Sequence, residues 1–352
     1  KPYVASTAES DPAVPIKTSN YVEDKYYSRN SVAEVYKQIV TDLLDAEKFL
    51  KDVPKKSMWR ADINAVRLML SRVYLYMCLY EEAEKYAALV TENGPQLEDL
   101  NSFSGKEFLS TNLSELIFST GASSLPGNVT FYSRNDGTEP GFVSGNDMRI
   151  SNELYEAYNP RNPIDLRLQY FVLDYDGSIR YRKLQGETFQ TTDLSDVFLM
   201  RTAEAWLNLA EAAACAGDEP TARKALNTLR EKRIKREFFD ESEVNGLTGE
   251  NLVQFIREER RRELCLEGHR WFDLRRYRVA EKYPQEVTVE HVYVNKTYNS
   301  STYEYETLWI RKFVLTTDDP AWVMPLPKAE IDKNTGMLDN PRNERGYEDV
   351  NN

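Results

Sequence analysis

Histidine is scarce in this sequence, and its scarcity limits the chemistry that the chain can perform. The 352 residues contain two histidines, His269 and His291, so a zinc site built from several histidines is excluded. A Ser-His-Asp triad would have to use one of the two. His269 lies in a charged helical pattern and His291 in a strand-like run, and we expect neither to be catalytic.

Cysteine, long apolar runs and positive charge are also limited. The three cysteines, Cys78, Cys215 and Cys265, lie in helical patterns without a CxxC pair, which is typical of buried free thiols. No apolar run approaches the roughly 20 residues of a membrane span, and no signal-peptide pattern is found at the opening Lys-Pro-Tyr. A net charge of −12 argues against a general nucleic-acid-binding surface.

Aromatic residues, in contrast, are abundant. The chain has 22 Tyr, 14 Phe and 5 Trp, which together make 12% of its residues. An aromatic ring can stack on the C–H face of a sugar, and a tyrosine hydroxyl can form a hydrogen bond at the same time. We expect most of the tyrosines to pack between helices, and the rest would suit a surface that binds sugars or peptides.

Two stretches, residues 62–92 and 201–233, have the pattern of paired helices. Small residues recur in both at a nearly constant offset, at positions where two helices must approach closely, which is typical of tetratricopeptide (TPR) repeats. The turn between the helices falls at Gly217 in the second pair but at Cys78 in the first, so the first copy is degenerate. Asp218 is the predicted N-cap of the helix that follows Gly217.

An earlier helix is predicted over Ser31–Leu50, where Ser31 and Glu34 have the spacing of a capping box. Because a long insertion separates the two TPR-like pairs, they are not a tandem array. The predicted fold class is therefore mainly α, with TPR-like helical hairpins as a scaffold and a loop-rich insertion that contains short β-hairpins.

The insertion, at about residues 114–190, is where we predict the ligand site. It begins with a strand over Ser114–Thr120, continues in a long loop rich in Gly, Ser, Asn and Pro, and ends in a β-hairpin over Tyr170–Leu184. The predicted ligand-binding residues are aromatic and polar side chains of the loop and two tyrosines of the hairpin: Phe131, Tyr132, Arg134, Asn135, Phe142, Tyr175 and Tyr181. A loop that only covers the helices is the alternative.

A charged stretch at residues 252–277 combines an apolar stripe with dense Arg and Glu. It predicts one helix, or two helical segments that meet near Gly268. Because a Trp-Phe pair lies inside the charge run, we expect this helix to be packed on both sides, with its arginines and glutamates bridging to neighbouring elements.

The sequence after Tyr277 becomes strand-like and rich in loops. Residues 287–294 and 303–312 alternate, which favours strands. Residues after about 341 are expected to form a frayed tail.

Three stretches carry a resemblance to a known family. They are REERRRELCLEGHRWFDLRRY at residues 257–277, FLMRTAEAWLNLAEAAACAGDEPTARKALNTLREKR at Phe198–Arg233 and VMPLPKAEIDKNTGMLDNP at Val323–Pro341. Taken in their order along the chain, they resemble the SusD/RagB family of surface nutrient-binding lipoproteins of Bacteroidetes. The closing pattern departs from the family at Arg342-Asn343, where Gly-Tyr is usual. An Asp-x-Arg at residues 165–167 resembles another recurrent family pattern, which we interpret as structural.

The resemblance implies a single SusD-like domain over residues 1–352, an α-α superhelix without the family's N-terminal region. It consists of the two TPR-like pairs, the insertion, the charged signature helix at residues 252–277 and a loop-rich part at residues 278–352. It also implies a glycan or oligosaccharide ligand, with peptide possible, and a SusC-like TonB-dependent transporter as partner. The location would be the surface of the outer membrane, with membrane attachment only through a lipid anchor that this chain does not carry. No cofactor and no nucleic acid are implied.

Two other classes of function compete with this one. A TPR-type scaffold that binds peptides or a partner protein would be favoured by a concave face lined with Asn, Lys and Arg. A helical glycoside hydrolase would need two carboxylates about 5–10 Å apart, and no local motif among the 57 acidic residues nominates a pair. Asp174 and Asp176 lack the remaining ligands of an EF-hand, so turn chemistry explains them. We therefore predict a binding protein that is not an enzyme and has no metal site.

Overall fold

The structure is a computed structural model that describes residues 1–105, 107–120, 150–175, 178–183 and 199–350. The chain divides into two compact units, a larger one at Ile39–Phe272 and a smaller one formed by Lys1–Gln38 with Asp273–Asn352. The described part is mainly helical with a few small antiparallel sheets, so the predicted fold class is confirmed. The single domain over residues 1–352 stays a prediction.

The described helices and strands follow in chain order. The helices are α1 Val32–Leu50, α2 Ile63–Tyr76, α3 Tyr80–Asn93, α4 Asn152–Glu156, α5 Arg167–Phe171, α6 Thr202–Ala216, α7 Glu219–Glu231, α8 Ser242–Asn245, α9 Gly249–Glu263, α10 Arg270–Tyr277 and α11 Lys328–Lys333. The strands are β1 Leu116–Ser119, β2 Val172–Tyr175, β3 Ser178–Tyr181, β4 Leu199–Arg201, β5 Val289–Asn299, β6 Glu304–Leu315 and β7 Glu348–Asp349. Single 3₁₀ turns lie at Arg236–Phe238 and Pro320–Trp322.

Both predicted helical hairpins are present in the larger unit, and they pack side by side. Helices α2 and α3 form the first pair and α6 and α7 the second, and α6 contacts all three of the others as well as α9. Alanines on α3 and α6 are buried at these contacts, which lets the helices approach closely. Deep between α2 and α6, the Asn208 amide donates to the Ser71 hydroxyl over 2.8 Å. The hairpins thus bury each other although a long insertion separates them in sequence.

The turns of the two hairpins have the same left-handed backbone conformation at different residues. Gly217 ends α6 with φ +99°, a left-handed conformation that glycine adopts without a side-chain clash. Cys78 takes the equivalent position after α2 with φ +59°, so the degenerate copy keeps the backbone shape without the glycine. Asp218 caps α7 by accepting a hydrogen bond from the Thr221 N–H at 3.2 Å, as predicted.

The capping box predicted for the first helix is confirmed. The Ser31 N–H donates to Glu34 Oε2 at 2.8 Å, and the Glu34 N–H donates to Ser31 Oγ at 3.1 Å. Helix α1 ends at Leu50, where the sequence predicted it to end.

The larger unit also contains two short antiparallel strand pairs. Strand β1 confirms the strand predicted in the insertion and pairs with β4, which opposes Leu116 to Arg201. Strands β2 and β3 form the predicted hairpin, with Val172 opposite Tyr181. The hairpin is shorter than predicted because Tyr170 and Phe171 belong to α5. The predicted turn at residues 176–177 lies outside the described residues.

The charged signature stretch forms two helices, not one. Helix α9 ends at Glu263 and α10 begins at Arg270. Between them Leu266 has φ +59° and Gly268 has φ +81°, so the chain makes a left-handed break that no continuous helix tolerates. The interpretation as two segments that meet near Gly268 is therefore correct.

The smaller unit contains a three-stranded antiparallel sheet in the order β5–β6–β7. Its two long strands extend the alternating runs predicted at residues 287–294 and 303–312. Residues after about 341 were expected to form a frayed tail, and that prediction is wrong. Strand β7 pairs with β6, and the Arg345 guanidinium forms an ion pair with Asp319, since the tail folds back along the sheet.

Arg29 fastens the N-terminal segment to the closing motif within this smaller unit. Its guanidinium donates to the carbonyl oxygens of Ala13 at 2.8 Å and Leu338 at 3.0 Å, and to Asn340 Oδ1 at 2.7 Å. The asparagine of the closing Asn-Pro motif thus has a structural partner.

Across the described ranges, every helix is too short or too polar to cross a bilayer. In the same ranges no three or more His, Cys, Asp and Glu side chains are grouped so that they could hold a metal ion.

The left-handed turn at Gly217 gives a direct test of the second TPR-like pair. Gly217→Ala should lower the free energy of unfolding by about 1 kcal/mol, because the added methyl group disfavours φ +99° although no atom lies within 4 Å of it. Gly246→Ala is the matched control, since Gly246 already has φ −83° and should tolerate alanine without loss. Urea unfolding followed by circular dichroism measures both, and equal midpoints for the two variants would contradict the strain at residue 217.

Candidate ligand-binding site

A network of buried ion pairs lies inside the larger unit. At its core the Glu263 carboxylate accepts hydrogen bonds from Arg167, Arg201 and Arg233. Arg201 and Arg233 also bind the two carboxylate oxygens of Glu115, at 2.6 and 2.8 Å. Each of these five side chains is at most 1% exposed. Three cations and two anions are therefore held together almost entirely away from water.

Further charged groups extend the network in two directions. Arg167 Nη2 lies 2.7 Å from both Asp165 Oδ2 and Glu259 Oε1. On the other side, the Glu267 carboxylate binds Arg201 at 2.9 Å and the Lys183 ammonium group. Lys183 also donates to the main-chain oxygen of Glu263 at 2.8 Å. With these partners the buried positive and negative charges are close to balanced.

The sequence indicated the glutamates of this network but not their partners. Glu259 and Glu263 are four residues apart on α9 and so share one side of the helix. The prediction that this helix bridges to neighbouring elements through Arg and Glu is confirmed, and so is the structural interpretation of the Asp-x-Arg motif. The partners Lys183, Arg201 and Arg233 come from segments remote in sequence, which helical spacing does not reveal.

The network lowers the pKa of three of its glutamates. Burial alone would raise the pKa of Glu263, but Arg233, Arg201 and Arg167 outweigh it and hold that pKa well below its ordinary value. The same balance lowers the pKa of Glu259, through Arg167, and that of Glu267, through Arg201. A catalytic acid needs the opposite, a raised pKa that keeps its proton at neutral pH. These three carboxylates are therefore structural anions.

The network also lies at the base of the insertion. Glu115 directly precedes β1, and β1 leads into residues 121–149. The residue that follows this segment is Ile150, whose N–H donates to the Ile179 oxygen of β3 at 2.9 Å. Lys183 directly precedes residues 184–198, and Arg201 ends β4 just after them. Segments 121–149 and 184–198 thus begin and end on elements that the buried charges join.

Most of the predicted ligand-binding residues lie outside the described residues. These are Phe131, Tyr132, Arg134, Asn135 and Phe142. Tyr175 lies in β2, where its backbone pairs with Ser178. Since Ile150 is hydrogen-bonded to the partner strand β3, the structure brings the end of the loop segment to the hairpin that carries Tyr175.

Tyr181 has a different environment from the one predicted. Its side chain is 1% exposed and belongs to the hydrophobic cluster that contains Phe171 and Val172. A ring in this position cannot stack on a surface ligand, so we do not carry Tyr181 into the proposed site. The sequence placed Tyr181 in a hairpin but did not show which face of the hairpin is buried.

A cavity of about 370 Å³ in the larger unit was not predicted from the sequence. It lies beside the network and is lined by Arg72, Tyr76, Leu199, Glu267, Gly268, His269 and Phe272. Arg72 is already paired with Glu204 at 2.6 Å, and Glu267 with Arg201. The break between α9 and α10 at Gly268 is the sequence signal that could have indicated this cavity.

The sequence matches the SusD family model over residues 85–347, which is most of the chain. The chain belongs to the SusD family. The resemblance inferred from the three motifs is therefore confirmed. A comparison with curated proteins gives no match.

Solved structures of SusD-type proteins share the fold. A proposed sugar-binding protein from Bacteroides vulgatus is 25% identical, with a TM-score of 0.71 over 96% of this chain and 72% of its own. A SusD superfamily protein from Bacteroides thetaiotaomicron is 23% identical, with a TM-score of 0.70 over 97% and 73%. A SusD-like carbohydrate-binding protein from Bacteroides vulgatus is 18% identical, with a TM-score of 0.62 over 95% and 72%. The last two show likeness of fold alone.

The lowered carboxylate pKa values predict loss of stability in acid. Glu259, Glu263 and Glu267 have a lower pKa folded than unfolded, so they stabilise the SusD-family fold fully above the unfolded value of about 4.3, and this contribution is lost as the pH falls through the folded pKa values. The urea midpoint should therefore fall steadily from pH 5 to pH 3. A midpoint that is constant over this range would contradict the role of the network.

A pair of substitutions on α9 isolates the buried charge. Glu263→Gln should lower the free energy of unfolding at pH 7 by about 3–5 kcal/mol, since three arginines lose their common anion. Glu258→Gln is the control, because Glu258 is an exposed partner of Arg261 and its loss should change stability by about 0.5 kcal/mol or less. If urea unfolding gave equal losses, the three buried arginines would not depend on the Glu263 carboxylate as their common anion.

Proposed function

We propose that this SusD-family protein is a binding protein that captures a glycan or oligosaccharide at the surface of the outer membrane and passes it to a TonB-dependent transporter. Family membership supports the role of a binding protein, and the sugar-binding description of a structural neighbour at 25% identity supports the class of ligand. The proposed ligand-binding residues are those of the insertion, Phe131, Tyr132, Arg134, Asn135 and Phe142, together with Tyr175.

The observation that carries the proposal is the buried network at the base of the insertion. Glu115, Lys183 and Arg201 join the start of segment 121–149 to both ends of segment 184–198. Ligand sites placed on rigid elements lose less conformational entropy on binding than sites on free loops. The aromatic-rich segment starts beside this network, and the residue that follows it, Ile150, is hydrogen-bonded to β3. This anchoring suits recognition of a ligand rather than a simple cover over the helices.

A role in binding rather than catalysis is supported by the state of the carboxylates. Retaining and inverting glycosidases need one carboxyl group with a raised pKa beside a second carboxylate. In the described residues, the carboxylates gathered around Arg201 are buried and paired with cations. Since their cationic partners lower the pKa of Glu263 and of Glu267, neither can supply the protonated carboxylic acid that hydrolysis of a sugar would require.

The binding test is affinity electrophoresis against a panel of neutral and acidic polysaccharides. We expect one glycan to retard the wild-type protein. Either Tyr132→Ala or Tyr175→Ala should raise the dissociation constant by about tenfold, because a stacking ring is lost. Tyr21→Ala is the matched control, because Tyr21 is an exposed tyrosine of the smaller unit. Circular dichroism checks that each variant is folded.

The results of this experiment test the glycan-binding function and the two proposed site residues separately. Retardation that survives both substitutions would keep the glycan function and discard these two residues. If no glycan retards the protein while a peptide library binds it, the ligand class is wrong and the peptide alternative takes its place.

The transporter partnership is tested separately, on the protein expressed in its own bacterium. Affinity purification from detergent-solubilised outer membrane should recover a TonB-dependent transporter in a ratio near one to one. Recovery of the folded protein without any such transporter would contradict the delivery step and leave glycan capture untouched.

A further inference from the structure

A row of aromatic side chains crosses one face of the sheet in the smaller unit. The register opposes Tyr293 to Arg311, Asn295 to Trp309 and His291 to Phe313. Directly opposed residues in an antiparallel pair point to the same face of the sheet. These side chains therefore form one continuous surface, although they come from two strands.

The rings in this row are in contact with each other. The ring centroids of Tyr293 and Trp309 are 5.5 Å apart, and those of Phe313 and Tyr347 are 6.1 Å apart. The Arg311 guanidinium links the two pairs, at 4.3 Å from the Trp309 ring and 3.8 Å from the Tyr347 ring. We call Tyr293, Trp309, Arg311, Tyr347 and Phe313 the aromatic row.

The aromatic row is ordered but accessible. Arg311 Nε lies 3.2 Å from Asp349 Oδ1, so the guanidinium is held between its two rings by an ion pair on the neighbouring strand. Tyr293 is 48% exposed and Tyr347 is 50% exposed. Because the rings are already positioned, little side-chain entropy is lost when a ligand covers them.

The opposite face of the same hairpin has different chemistry. There Val294 opposes Ile310 and Val292 opposes Lys312, and further out Tyr298 opposes Tyr305. On the face of the aromatic row, in contrast, the rings lie beside groups that can donate or accept hydrogen bonds, which are His291, Asn295 and Arg311. Ring faces beside polar groups are the combination that recognises a sugar, whose C–H face is apolar and whose edge carries hydroxyl groups.

We propose that the aromatic row is a second glycan-binding surface, in addition to the residues of the insertion, which stacks on the sugar rings of a neutral oligosaccharide chain. Two observations favour a neutral oligosaccharide as the ligand. The charge of Arg311 is balanced by Asp349, so the row offers no net charge to an anionic ligand. Its contacts run from Tyr293 through Trp309 and Arg311 to Tyr347, an elongated arrangement that matches a chain of sugar rings.

The area of the aromatic row argues against a protein partner. A stable protein interface buries about 800 Å² on each side. An aromatic side chain buries about 150–250 Å² when it is fully covered, and the two most exposed rings of the row have only half of that left to cover. The row is therefore too small for a stable dimer and sufficient for a short oligosaccharide. The class of ligand rests on the proposed function, whereas the position of the site does not.

The test compares Trp309→Ala, Tyr293→Ala and Trp309→Phe with the wild type, on the neutral polysaccharide that retards the wild type most. Trp309→Ala and Tyr293→Ala should each raise the dissociation constant by about tenfold. Trp309→Phe should retain most of the affinity, because a ring is still present. Tyr305→Ala is the matched control, since Tyr305 is exposed on the opposite face of the same hairpin and should bind like the wild type.

Four results would overturn the proposal. If Trp309→Ala and Tyr293→Ala bind like the wild type, the aromatic row is not a glycan surface, while the proposed function stands. If no polysaccharide retards the wild type, both fall. Retardation by acidic polysaccharides alone overturns the neutral class of ligand. A wild-type dimer in sedimentation velocity that Trp309→Ala dissociates would show that a second copy covers the row. Since Tyr293 lies at the exposed end of the row, Tyr293→Ala keeps the test decisive should Trp309→Ala fail to fold.

Discussion

The larger unit depends on one buried carboxylate, that of Glu263, shared by Arg167, Arg201 and Arg233. Burying a charge costs several kcal/mol unless partners and hydrogen bonds replace its hydration. Here each charge satisfies several others, and no single pair could be removed without leaving an uncompensated ion. The signature glutamates of α9 are thus explained by the need to balance arginines that arrive from other parts of the chain.

This arrangement specifies which segments lie together more than it adds stability. A hydrophobic core of the same volume would be as stable or more so, but it would tolerate several packings. A guanidinium group that binds two carboxylates accepts few other arrangements, because its hydrogen bonds have fixed directions. The same device appears on a smaller scale at the surface, where Arg311 is held between two rings and a carboxylate. In both places an arginine orders the side chains around it.

Local patterns in the sequence predicted the parts of this fold that local interactions determine. The capping box at Ser31 and the left-handed turn at Gly217 depend on neighbouring residues, and so could be predicted. The partners of the buried glutamates could not, because Lys183 and Arg201 meet Glu267 only after distant segments converge. Tyr181 and the C-terminal tail were misjudged for the same reason. Which face of a strand is buried, and whether a tail pairs with a sheet, are decided by the rest of the chain.

The network also bears on how the larger unit folds. Its charges come from segments between Glu115 and Glu267, so it closes only when contacts remote in sequence have formed, and such contacts are entropically costly and slow to establish. A partly assembled network would hold buried ions without partners, which is unfavourable. We therefore expect the two helical hairpins to form first, from local contacts. Closure of the network would follow as the late step that commits the chain to its native arrangement and orders the ends of the insertion.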